Sequence, residues 1–229
     1  MKKQQILVVD DEQDLCEILS FNLTSAGYMV DIAYSGEQVL SNGHVGEYDL
    51  ILLDVMMPGM SGFEVAKRLR QQPETSSVPI IFLTALGSED DTLHGFDLGA
   101  DDYISKPFSV REVIARIKAV LGRTADHHAT TGATFSYKGL KVNLNKMLVE
   151  IDGQAVALTR TEFDMLILLL ENRGKVFTRQ EILEKVWPSD VIVTDRTIDV
   201  NITRLRKKIG PYSSCIITRH GYGYTFIGA

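Results

Sequence analysis

The chain has 229 residues, 45% hydrophobic and 24% charged, with a formal net charge of −6, which is enough apolar material for one large domain or two ordinary ones. The longest apolar stretch, near Met165–Leu170, is too short to span a bilayer, and Met1-Lys2-Lys3 leads into a strand-like run rather than a secretory h-region, so neither membrane insertion nor export is expected and the protein is assigned to the cytoplasm. With Cys16 and Cys215 as the only cysteines, one in each half, two buried free thiols are expected rather than a disulfide framework.

Charge divides the chain more sharply than any other statistic. Residues 1–134 hold 10 Lys+Arg and 20 Asp+Glu, net −10, whereas residues 135–229 hold 14 and 10, net +4. An acidic half joined to a basic half implies two domains with different partners, the basic one meeting nucleic acid.

Along the first half, short apolar runs alternate with helical stretches. Ile6–Val9 ends in Asp10-Asp11 and is followed by a helix over Glu12–Ala26, with a second helix over Gly36–Ser41. Leu50–Leu53 ends in Asp54 and precedes a helix over Gly62–Gln71. Ile80–Leu83 ends in Thr84, with a helix over Ser88–Leu98 beyond it. Tyr103-Ile104 leads to Lys106-Pro107 and a helix over Val110–Leu121. Runs rich in Val, Ile and Leu without alternation are buried parallel strands in repeated βα units. The expected fold is α/β, a doubly wound parallel sheet of about five strands over residues 1–122. Ligands of such sheets bind beyond the carboxyl ends of the strands, the edge that here collects three carboxylates, a hydroxyl and an ammonium. Crowded carboxylates call for a cation, and a carboxylate beside a cation and an ammonium is equipped to attack a phosphoryl group.

From Gly122 the chain reads GRTADHHATTGA, small and polar without periodicity, so residues 123–133 are read as a flexible linker, with His127-His128 as surface histidines. Residues 134–229 open with short strand-like runs. Asp152-Gly153 between Met147–Ile151 and Ala155–Leu158 is a hairpin signal. Thr159 with Glu162, and Thr178 with Glu181, form capping boxes before Phe163–Glu171 and Ile182–Trp187, and Pro188 ends the second of these helices. Thr194 or Asp195 caps a third helix that stops at Gly210. Strands over Ile216–Thr218 and Tyr224–Ile227 close the domain, an α+β arrangement of sheet, three helices and a final hairpin. In the third helix Ile198, Ile202, Leu205 and Ile209 form one apolar stripe. Arg196, Val200, Asn201, Arg204, Lys207 and Lys208 are read as lying away from it.

Asp10-Asp11, Asp54 followed by Met56-Met57-Pro58-Gly59, Thr84-Ala85, and Tyr103 with Lys106-Pro107-Phe108 resemble the receiver signature of two-component response regulators. The second half, above all Arg196 to Lys208, resembles the winged-helix output domain of the OmpR/PhoB subfamily. The resemblance implies that Asp54 accepts a phosphoryl group from a sensor histidine kinase. Asp11, Asp54 and the Met56 carbonyl hold Mg²⁺ (or Mn²⁺), and Asp10 acts largely through water. Lys106, preceding a cis proline, neutralises the phosphoryl oxygens, while Thr84 and Tyr103 carry the switch. Met56 and Leu86, two residues beyond Asp54 and Thr84, cannot orient water by hydrogen bonding, so slow self-dephosphorylation is expected. An aspartyl-phosphate hydrolase would need a second aspartate where Met56 stands, so no turnover of external substrates is expected; a DNA-binding protein with a vestigial receiver ranks lower, because every expected site residue is present.

The same resemblance places the third helix in the major groove of promoter DNA. Arg204 and Asn201 would read bases and Val200 a thymine methyl, with Arg196, Thr203, Lys207 and Lys208 on phosphates. In the wing, His220 stands where the family usually has arginine and Arg219 comes one residue earlier, leaving open which of them enters the minor groove. A phosphorylation-promoted homodimer would form through ion pairs of Asp97, Asp101, Asp102, Glu112, Arg116, Lys118 and Arg123, with RNA polymerase as a further partner.

Overall fold

The computed structural model describes residues 3–84, 100–127, 134–144, 146–187 and 195–228, and for 123–127, 195 and 196 only the backbone. The expected helix over Ser88–Leu98 lies outside the described residues, as do Leu86, Asp97, Pro188 and Thr194. The chain divides into two compact units, Met1–Arg123 and Thr124–Ala229.

In the first unit, β1 (Gln5–Val9), β2 (Met29–Ala33), β3 (Leu50–Asp54), β4 (Ile80–Thr84) and β5 (Asp102–Ser105) pair in parallel in the order β2-β1-β3-β4-β5. Every residue of β3 and β4 is buried, because strands covered on both faces have no solvent side on which to place polar residues. Edge strand β2 reads exposed, intermediate, exposed, intermediate, buried instead. One set of alternate residues, including Ile6, Val8, Leu50, Leu52, Ile81 and Leu83, packs against α1 (Gln13–Ser25) and α4 (Val110–His127). Helices α2 (Gly36–Ser41) and α3 (Gly62–Gln71) begin at Ser35 and Ser61, whose hydroxyls accept from the backbone N–H three residues on, the N-cap pattern that fixes where a helix starts. The chain order reverses between β1 and β3, the place where doubly wound sheets open a crevice. Val9 sits opposite Leu53, so Asp10 and Asp54 emerge side by side.

Helix α4 runs through His127, overrunning the segment read as linker. Gly122 alone costs only about 1 kcal/mol relative to alanine, and no proline follows it to end the hydrogen-bond ladder.

The second unit begins with a four-stranded antiparallel sheet of β6 (Thr134–Tyr137), β7 (Leu140–Asn143), β8 (Leu148–Ile151) and β9 (Gln154–Val156). Asp152 and Gly153 both take positive φ, 51° and 84°, as a two-residue hairpin requires. Helices α5 (Arg160–Glu171) and α6 (Arg179–Val186) each start in a complete capping box. Helix α7 (Asp195–Ile209) ends at Gly210, φ 48°. A hairpin of β10 (Ile216–Arg219) and β11 (Gly223–Phe226) closes the unit. It is anchored by the bridge between Phe177 and Tyr224. Gly223 has φ 137°, and any Cβ there would overlap the Phe177 carbonyl. The core joins Leu140, Val142 and Val149 of the sheet to Phe163, Leu166, Ile198, Ile202 and Phe226. Cys16 is buried as expected, but Cys215 is only half-buried, since the turn Gly210–Cys215 runs along the surface before β10.

Candidate functional sites

At the carboxyl edge of the parallel sheet, Asp10, Asp11 and Asp54 present oxygens that all lie within 4.8 Å of one another. Asp10 and Asp54 are buried and Asp11 is exposed. Lys106 reaches in from the end of β5, with its Nζ 2.8 Å from Asp10 Oδ2 and 2.8 Å from Asp54 Oδ1. Its N–H donates to the Thr84 carbonyl at 2.7 Å, which fixes its position; the Lys106–Pro107 peptide is cis. A third acceptor, Glu12 Oε1 at 3.3 Å, was not foreseen in the sequence. Asp10 Oδ1 also accepts from the Glu12 N–H at 3.0 Å, tying the start of α1 to the site.

Burial pushes the Asp54 carboxyl above the usual aspartate range and nearby Asp10 adds to the rise, while Lys106 and the Met56 N–H pull the other way without cancelling it. Burial alone would lower Lys106, but hydrogen bonds to Asp10 and Asp54 outweigh it and the ammonium is held more firmly protonated than usual. The Asp54 shift comes mainly from burial and the Lys106 shift from its two carboxylate partners. That donor set, all hard oxygen, fits a small divalent cation such as Mg²⁺.

Thr84 is buried at the end of β4, and Tyr103 is 9% exposed with its ring 5.3 Å from that of Phe82. The Met56 side chain is 59% exposed at the mouth of the site. Gly62 opens α3 directly against the Asp54 carbonyl, leaving no room for a Cβ, so the loop after Asp54 is folded tightly back.

In the second unit the outward face of α7 carries Thr203 and Lys207, both exposed, with Val200 and Arg204 half-exposed beside them. The side chain of Arg196 lies outside the described residues. Two expectations for this helix are corrected. Asn201 is 1% exposed and donates from Nδ2 to the Thr197 carbonyl at 2.9 Å. It stands three residues after Ile198 and four before Leu205, which places it on the core side of the helix. Lys208 turns the same way and pairs with Glu162 Oε2 of α5 at 2.6 Å. Arg206, passed over in the sequence, donates to the Ile216 carbonyl and to Thr218 Oγ1, bracing the wing. At the wing tip Arg219, His220 and Tyr222 are all exposed.

Asp101, Asp102, Glu112 and Arg116, expected to pair across a dimer, find partners within the chain. Asp101 is fully buried, accepting from the Ile80 N–H at 3.0 Å and facing Arg70 at 3.6 Å. Asp102 is fully buried and pairs with Arg116 at 3.1 Å, and Arg116 is shared with Glu112 at 3.2 Å. These acids sit where β5 begins inside the sheet, so their charges are met within the chain. Lys118 is exposed; Asp97 and the Arg123 side chain lie outside the described residues.

Known proteins agree with this arrangement. Residues 6–118 match the family described as response regulator receiver domain, and residues 153–226 match the one described as transcriptional regulatory protein, C terminal. The response regulator ArlR of Staphylococcus saprophyticus is 40% identical over 222 residues, covering 96% of this chain and 97% of that protein. The chain is a response regulator of the OmpR/PhoB family. Among solved structures, a RitR mutant matches the regulator with a TM-score of 0.76 at 30% identity, covering 99% of this chain and all of the other. DrrB, a Thermotoga maritima OmpR/PhoB homologue, is 34% identical over the same spans with a TM-score of 0.51. The regulator is thus a two-component DNA-binding transcription regulator with a receiver and a winged-helix domain. Among the described residues no helix is long and apolar enough to cross a membrane.

Proposed function

We propose that Asp54 is the phosphoacceptor through which a sensor histidine kinase controls promoter binding by the second unit. The observation that carries this reading is the placement of one buried carboxylate, Asp54, within 2.8 Å of the Lys106 ammonium and within an acidic cluster suited to a divalent cation. Asp54 Oδ attacks the donor phosphorus in line; the P–N bond of a phosphohistidine breaks, its electron pair stays on the imidazole nitrogen, and an acyl phosphate forms. Lys106 donates to a phosphoryl oxygen, and Asp10 holds that ammonium in position. Asp10, Asp11, Asp54 and the Met56 carbonyl would hold Mg²⁺, or Mn²⁺, which when bound neutralises charge on the transferred group. Thr84 at the end of β4 supplies the hydroxyl that turns toward the new phosphate, and Tyr103 follows into the space it leaves. Met56, exposed and unable to orient water, leaves the acyl phosphate long-lived.

Phosphorylation promotes a homodimer that places two α7 helices on promoter DNA and brings RNA polymerase to it. The dimer pairs Asp97, Asp101, Asp102 and Glu112 with Arg116, Lys118 and Arg123, exchanging the partners that Asp101, Asp102 and Glu112 have within the chain, and apolar contact supplies most of the affinity. On the DNA, Arg204 and Val200 read bases, while Thr203 and Lys207, with Arg196, hold phosphates. A phosphodonor assay tests the central step: acetyl phosphate with Mg²⁺ should add one phosphoryl group per wild-type chain and none to Asp54→Ala. Equal labelling of both would overturn the assignment, and many turnovers per chain would reveal a hydrolase.

A further inference from the structure

Within the basic helix α7, Asp199 has the wrong sign for a surface that meets phosphate. Asp199 stands one turn before Thr203, whose hydroxyl donates to the Asp199 carbonyl at 2.7 Å, and its side chain is 45% exposed. Its Oδ1 accepts two strong hydrogen bonds, from Arg179 Nε at 2.7 Å and from the Tyr224 hydroxyl at 2.6 Å. Arg179 is the first residue of α6 and Tyr224 belongs to the wing strand β11. The guanidinium also lies 5.2 Å from the centre of the Tyr224 ring, with Arg206 at 5.6 Å from the same ring. Three elements of the winged-helix unit therefore meet at one carboxylate oxygen.

We propose that Asp199 is a specificity-determining residue that withholds the Arg179 guanidinium from the DNA backbone. This rests on the reading that the outward face of α7 meets duplex DNA. Arg179 is a quarter exposed and is bound to a residue on the rim of that face, so a phosphate oxygen would compete for the same donors. A cation on phosphate adds affinity for every sequence alike. Holding Arg179 on Asp199 removes one such sequence-independent contact, so that more of the remaining binding energy depends on base edges. The Tyr224 hydroxyl completes the clamp, and its ring, with Arg179 on it, keeps the guanidinium in place when the carboxylate is engaged.

The test is the salt dependence of binding, measured on the full chain with Mg²⁺ and beryllofluoride, on an arbitrary duplex and on one selected by the wild type from a random library. For Asp199→Asn, the slope of log K against log salt should steepen by about 0.9, the increment of one additional phosphate contact. Affinity for the arbitrary duplex should rise and the ratio between the two duplexes should shrink. Arg179→Gln alone should leave the wild-type slope, and the double variant Asp199→Asn, Arg179→Gln should return to it. A flattened slope in Arg179→Gln would mean that Arg179 already sits on phosphate, and an unchanged slope in a folded Asp199→Asn would mean a structural strut; either result overturns the proposal. The Arg179→Gln arm can overturn the proposal even where Asp199→Asn fails to fold, and Asp199→Ser then takes the place of Asp199→Asn with the same expected steepening. A wild type without salt-dependent duplex binding would overturn the DNA reading itself, a failure visible before any variant is made.

Discussion

Asp54 is held in a conflict that its function requires. A nucleophilic carboxylate must be shielded from water and yet remain available, and burial beside Asp10 raises its proton affinity while Lys106 keeps it oriented. The sign of that shift makes a stability prediction. Because the folded-state pKa is raised above the ordinary value of 3.8, the folded chain binds the Asp54 proton at pH values where the unfolded chain has released it. Stability from this group is therefore fully present below the ordinary pKa and is lost as pH rises through the raised one. Without divalent cations, Asp54→Asn should have a higher thermal midpoint than wild type at neutral pH, the gap closing as pH falls toward the ordinary aspartate range. Calorimetry in a chelating buffer measures it; a lower midpoint for Asp54→Asn at neutral pH would mean that the Lys106 pairing dominates instead. Adding Mg²⁺ should then stabilise the wild type and leave Asp54→Asn nearly unmoved, a gain of about 2.7 kcal/mol at a hundredfold excess over Kd.

Individual elements were legible wherever a single chemical rule decides them. The β3 and β4 runs carry no polar residue before Asp54 and Thr84, and both capping boxes announced their helices. What escaped the sequence depends on rotation about a helix axis or on partners far along the chain. Asn201 is no member of the Ile198, Ile202, Leu205, Ile209 stripe, yet its spacing from Ile198 and Leu205 turns it inward. Its Oδ1 has no partner among the described residues, so Asn201→Ala loses one hydrogen bond and also removes one unmet acceptor. The net effect on stability should lie within about 1 kcal/mol, with sequence preference unchanged. Lys207→Ala, by contrast, should flatten the salt slope by about 0.9 on all sequences. A changed operator preference in Asn201→Ala, read by selection from a random duplex pool, would return that residue to the DNA face. The wing offers a harsher test. Gly223→Ala places a methyl against the Phe177 carbonyl at a φ of 137°, and the hairpin should detach from its bridge, with a loss of several kcal/mol and of most duplex affinity. Near-wild-type stability in calorimetry would contradict the packing described.

Across the molecule, the two halves differ in charge, net −10 against net +4, and each contains a complete chemical unit. The acidic half gathers three carboxylates around one lysine, and the basic half offers a helix whose Asp199 is compensated by Arg179. The sequence pattern located most of the described strands and helices, though not the half-exposed edge strand β2, and even the cluster at the sheet edge, because each of the other strand ends carries its own signal. It could not give Asp101 and Asp102, since acids at the start of a buried strand look like surface acids until Arg70 and Arg116 are placed beside them. Nor could it end α4, because no stop signal lies between Gly122 and His127. The central claim, that a mark on Asp54 governs how the basic half holds duplex DNA, is tested most directly by fluorescence anisotropy of a labelled selected duplex with the full chain, with and without Mg²⁺ and beryllofluoride. Beryllofluoride should tighten binding by the wild type and leave Asp54→Ala unchanged. Identical binding curves for the wild type in both conditions would contradict the claim.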